Sequence, residues 1–148
     1  MLNLNVNNET SKLKAVVLGT ALSLGPTPKL EDCYDPKSRE HVLNNTYPIE
    51  EDLTQEMQEF YDVLKKYNVT IYRPEKIENQ NQIFSRDIAF VIENKFVFAN
   101  VVEDRAKEIQ GIKHVYDQIE DQNIIHLPES CHVEGGDIML CGNYVFIG

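Results

Sequence analysis

Two stretches about fifty residues apart read as the same device used twice. "DIAFVIENKFVFA" begins at Asp87 and "DIMLCGNYVFIG" begins at Asp137. Both open with Asp-Ile, continue as a short apolar run, break at an Asn and return as aromatic-Val-Phe after one gap. Apolar runs of this length split by a turn signal predict β-hairpins, with Glu93-Asn94-Lys95 separating the first pair and Gly142-Asn143 turning the second. A hairpin alone cannot bury its apolar faces, so each copy must pack against further elements. That requirement limits the chain to an architecture in which hairpins recur and helices cover them.

The elements between the hairpins supply the cover. "KAVVLG", "VTIYRP" and "NIIHLP" are short apolar runs closed by Gly or Pro and predict three more strands. Residues 50–68, "EEDLTQEMQEFYDVLKKYN", predict a helix with Leu53, Met57, Phe60, Leu64 and Tyr67 on one face. Glu50, Glu51 and Asp52 lie at the positive end of its dipole, Lys65 and Lys66 at the negative end, and Asn68 suits a left-handed stop. The charged segment "EDRAKEIQG" predicts a solvated helical face. Residues 20–49 are rich in Pro, Asp and Thr and read as a long loop, a candidate lid or pocket wall. The fold class expected is α/β, one domain over residues 1–148 built of hairpin-helix-strand repeats. Because the last hairpin would leave an apolar strand uncovered, the expectation is an incomplete chain; a terminal strand tucked into its sheet is the alternative.

Charge and cysteine use exclude several classes. A net charge of -10 repels phosphate backbones, so no nucleic-acid partner is expected, while a small cation would be attracted. Three cysteines without C-x-x-C spacing give neither a disulfide framework nor a zinc site, and point to a cytoplasmic protein with no metal or cofactor. No leader-like start and no bilayer-length apolar run are present, so no membrane partner is expected. Association into oligomers stays open.

The chemistry concentrates in "NQIFSRD", residues 81–87, and "HVEGGD", residues 132–137. A guanidinium is planar, permanently charged and forked, and carboxylates placed for paired hydrogen bonds hold it. Asp87 and Glu134 each sit at the mouth of a hairpin, where a loop can aim an acid into a cleft. Gly135 and Gly136 permit either close backbone approach or positive φ. Equally, "GGD" can be a plain turn and "RD" a surface ion pair. Cys131 and His132 are adjacent and point oppositely on an extended segment, which leaves them badly placed to act on each other. Cys141 reads as a small buried hydrophobe, and His41, His114 and His126 have no partner pattern.

Together the two motifs resemble the guanidino-group-modifying superfamily, or penteins, which includes arginine deiminases, dimethylarginine dimethylaminohydrolases and amidinotransferases. The resemblance implies an α/β-propeller, of which this chain is an N-terminal portion. It implies that Asp87 and Glu134 bind a guanidinium substrate and that Asn81 contacts the substrate's α-carboxylate end. Arg86 and Asp137 would be structural, Asp137 bonding turn amides. In that family a thiolate attacks the guanidinium carbon and a histidine protonates the leaving amine. Water then releases a ureido product, or an acceptor amine takes the amidino group. Both reacting residues would lie beyond Gly148. Hydrolysis of an arginine-like substrate is the reading preferred, amidino transfer the runner-up. A non-catalytic cation-binding module and a globular domain whose acids cap turns are the remaining alternatives.

Overall fold

The computed structural model describes residues 1–33 and 35–148. It has an α/β fold, with three small sheets among the described residues. β1 (Ala15–Val17) pairs in parallel with β2 (Thr70–Tyr72), matching Ala15 to Thr70. Between them run α1 (Pro36–Leu43) and α2 (Glu50–Lys66). The expected lid segment thus carries a helix of its own. Asp35 caps it by accepting a hydrogen bond from the Ser38 amide at 2.8 Å, and Pro36 occupies its first turn.

α2 begins with its three acids, ends with its two lysines and stops at Asn68 with φ of 57°. Leu64 is buried with Leu18 and Val69, and Met57 and Tyr61 pack against them. Phe60 and Tyr67 stay exposed. The inward stripe is therefore rotated from the one expected, toward Tyr61, because only a single two-stranded sheet lies beneath the helix and it covers one flank.

The helical turn α3 (Ser85–Ile88) leads into β3 (Ala89–Ile92), which pairs antiparallel with β4 (Lys95–Phe98). Ile92 faces Lys95, so the turn is Glu93-Asn94, one residue shorter than expected, with Glu93 at positive φ. β5 (Ile124–His126) adds in parallel to β4. Between them, residues 103–116 form short 3-10 turns and α4 (Lys113–Tyr116) instead of one helix. The second hairpin, β6 (Ile138–Cys141) with β7 (Tyr144–Ile147), is likewise preceded by a helical turn, Gly135–Asp137. Gly142 takes φ of 58° in its two-residue turn.

Period-two alternation decides how these pieces stack. Ala89 and Phe96 point to one side and join Ile112, Val115 and Ile119. Phe90 and Val97 point to the other and meet Ile138 and Leu140 of β6. The central sheet is covered on both faces, by turns and α4 on one and by the second hairpin on the other. β7 is exposed along its length. Among the described residues the sheets hold two, three and two strands and do not close into a ring. No helix among the described residues is long and apolar enough to cross a membrane.

Candidate guanidinium site

The two hairpin mouths are brought together. α3 packs on the Gly135–Asp137 turn, and the Arg86 fork stitches them: Nε donates to the Gly135 carbonyl at 2.8 Å and Nη2 to that of Ile138 at 2.7 Å. Nη2 also reaches Glu9 Oε1 at 3.2 Å, which accepts the Leu140 amide as well. Arg86 pairs with Glu9 and backbone, leaving the adjacent Asp87 carboxylate for other work.

Steric room explains the Gly-Gly pair. Neither glycine is among those at positive φ. A Cβ on Gly135 would fall 2.0 Å from the Arg86 carbonyl oxygen, and one on Gly136 would fall 2.7 Å from Asp87 Oδ1. The first glycine admits the neighbouring backbone; the second leaves space for the acid. Close approach, not backbone conformation, is what the dipeptide supplies.

A guanidinium already lies between the acids, and it belongs to the chain. Arg105 Nη1 donates to Asp87 Oδ2 at 3.0 Å and to Glu134 Oε1 at 3.3 Å. Its other edge grips Glu108, Nε to Oε1 at 2.8 Å and Nη2 to Oε2 at 3.0 Å, the bidentate geometry that suits arginine and carboxylate. Side-chain exposure is 15% for Arg105, 19% for Asp87, 39% for Glu134 and 3% for Glu108, so the cluster opens to solvent on the Glu134 side. The hydrogen bonds that Arg105 donates to Glu108 raise the Arg105 pKa above its ordinary value. Burial raises that of Glu108 above its ordinary value; Arg105 opposes the rise, while Asp87 and Glu134 add to it. Three carboxylates share one guanidinium here, leaving two negative charges uncompensated when all are ionised.

Within "EDRAKEIQG" the side chains of Glu103, Asp104 and Lys107 are exposed as expected, but Arg105 and Glu108 are drawn out of that solvated face. Consecutive 3-10 turns bring residues three apart onto one side, and Arg105 with Glu108 are such a pair turned inward. Arg-x-x-Glu is the only sign of this in the sequence, and it reads equally well as a surface ion pair. Asn81 is exposed, and its Oδ1 accepts the Ile83 amide at 3.2 Å. Its neighbour Gln82 is the buried one, holding the Ile77 amide and the Glu75 carbonyl. Asp137 departs from its expected role: its backbone carries the turn, N to the Glu134 carbonyl and O from the Gly148 amide. Its carboxylate makes no hydrogen bond among the described residues.

The thiols and imidazoles stand apart. Cys131 and Cys141 are exposed, so Cys141 is not the buried hydrophobe expected, and Cys33 is buried with Sγ near the Lys29 carbonyl. His126 stacks on Phe98 and His41 bonds Thr46. No cysteine–histidine hydrogen bond and no metal-holding group occurs among the described residues. A surface hollow of about 460 Å³ lies against α1, lined by Pro36, Arg39, Glu40, Leu43 and Asn44, away from the acid cluster.

No protein-family model and no curated protein matches the chain. Solved structures do. An amidinotransferase of saxitoxin biosynthesis from Microseira wollei is similar with a TM-score of 0.70 at 15% identity, over 96% of this chain and 53% of that one. The inosamine-phosphate amidinotransferase of Streptomyces griseus gives 0.68 at 13%, over 96% and 54%. A Pseudomonas aeruginosa dimethylarginine dimethylaminohydrolase, solved as a complex with citrulline, gives 0.66 at 17%, over 93% and 51%. Over the matched part the chain shares the fold of these amidinotransferase and dimethylarginine dimethylaminohydrolase structures, and it spans about half their length.

Proposed function

We propose that this chain carries the guanidinium-binding acids of a guanidino-modifying enzyme, with Asp87 and Glu134 as the residues that hold an arginine-like substrate. The observation that supports this reading most directly is the Arg105 guanidinium hydrogen-bonded to both carboxylates. It supports a seat at the hairpin mouths with the size and charge for a flat cation. Two uncompensated negative charges at the cluster favour a further cation, and charge-assisted bonds to both acids would fix its plane.

Hydrolysis of a guanidinium C–N bond is the reaction preferred, within an α/β-propeller to which this chain contributes part. The attacking thiolate and the histidine that protonates the leaving amine would come from outside residues 1–148, since Cys131 and Cys141 are exposed and no cysteine–histidine hydrogen bond occurs among the described residues. Amidino transfer is the second reading, favoured by the two amidinotransferases among the similar structures. A module that binds the cation without turnover is the third. Asn81 as a contact for the substrate's carboxylate end and residues 20–49 as a lid belong to the same proposal.

Calorimetric titration with L-arginine tests the site. Asp87→Asn and Glu134→Gln each remove one charged acceptor and are expected to weaken binding about tenfold or more, by the roughly 1.5–3 kcal/mol of a charge-assisted bond. Unchanged affinity in both variants would remove the assignment. Assays for a ureido product and for transfer to glycine, run on the full-length enzyme, separate the two reactions.

A further inference from the structure

Arg105 has the same chemistry as the ligand proposed for this site, and it occupies the same two acids. We infer that Arg105 is a resident guanidinium, one that an incoming guanidinium must displace from Asp87 and Glu134. This rests on the reading above and deepens it by naming what the site must release before it can bind.

The geometry divides the side chain into a part that leaves and a part that stays. Nη1 alone faces the acid pair, at 3.0 and 3.3 Å, on the side where Glu134 is most open. Nε and Nη2 face away from it, onto the buried Glu108. A small swing of the guanidinium about that anchor would vacate Asp87 and Glu134 while its charge stays compensated. Glu108 is thus a tether, and its bidentate grip makes displacement a local side-chain movement. Occupation by Arg105 also solves a problem of the free chain, because two acids held close without a cation would repel each other.

Competition lowers the apparent affinity by the fraction of time the seat is free. If Arg105 occupies it nine-tenths of the time, its removal tightens guanidinium binding about tenfold. The experiment is a titration of the wild-type chain and Arg105→Ala with methylguanidinium chloride at constant ionic strength, followed by amide NMR shifts and by melting temperature. Tetramethylammonium, a cation without donors, is the control. Expected are an affinity about tenfold higher in Arg105→Ala and a methylguanidinium-specific rise in melting temperature larger than in the wild type. Should Arg105→Ala fold poorly alone, Arg105→Lys, which keeps the charge but loses the fork, must show the same direction with a smaller gain.

Arginine binding that depends on Asp87 in the wild type, with equal or weaker methylguanidinium binding in both Arg105 variants, would overturn the displacement and leave the site intact. Absence of guanidinium binding in every variant would overturn both.

Discussion

Removing the tether tests the energetics of the cluster directly. Glu108→Ala deletes the acid that holds two of the three donor nitrogens of Arg105, in a pair whose side chains are only 15% and 3% exposed. Breaking a fully buried pair costs about 3–5 kcal/mol, because the survivor is left charged and unpaired. Here Arg105 keeps Asp87 and Glu134 through Nη1, so part of its charge stays compensated and the expected loss is about 2–3 kcal/mol. For a domain of this size that lowers the melting temperature by roughly 4–12 °C. Glu108→Gln, which keeps shape and one acceptor, should lose about half as much. The chain has no tryptophan, so far-UV circular dichroism during heating is the assay. A loss below about 1 kcal/mol in Glu108→Ala, the range of exposed pairs, would refute the idea that Glu108 anchors a buried guanidinium.

Further outcomes follow from neighbouring features. Gly135→Ala sets a Cβ 2.0 Å from the Arg86 carbonyl oxygen, a backbone contact that no rotamer relieves. It should cost about 3 kcal/mol or more, whereas Gly142→Ala, with nothing within 4 Å but φ of 58°, should cost only about 1–2 kcal/mol. Equal melting temperatures for the two would contradict the close approach. Arg105→Ala should also show a stronger pH dependence of stability than the wild type. Glu108 already has its pKa raised above 4.5 by burial, with Arg105 opposing, so removing Arg105 raises it further. A carboxyl with a raised folded pKa destabilises above that pKa and is relieved as pH falls through it. The stability gap between variant and wild type should therefore be widest at neutral pH and narrow toward pH 4.5; a constant gap across that range, in urea unfolding, would contradict it.

Periodicity made the hairpins, the short strands and α2 legible, because alternation and a 3.6-residue repeat depend only on which side of an element is covered. It could not tell how far the cover extends, which is why Phe60 and Tyr67 of α2 are exposed while Tyr61 packs inward. α1 escaped notice because it buries no residue; its start was written in Asp35-Pro36, but without an apolar face the segment read as loop. Asp87 and Glu134 could be singled out from their places before two similar hairpins and from resemblance. Arg105 and Glu108 could not. A run of alternating charges says nothing about orientation, and only the 3-10 backbone turns this pair toward the acids.

The Arg86 fork has a mechanical consequence. Asp87 follows Arg86 directly, and Glu134 directly precedes Gly135, whose carbonyl Arg86 holds. Each acid is thus one peptide unit from the fastening point, and the spacing between them is gauged by main chain and one rigid plane. When the two hairpins breathe against each other, the jaws of the seat should travel as a single piece, keeping their span while the strands around them flex.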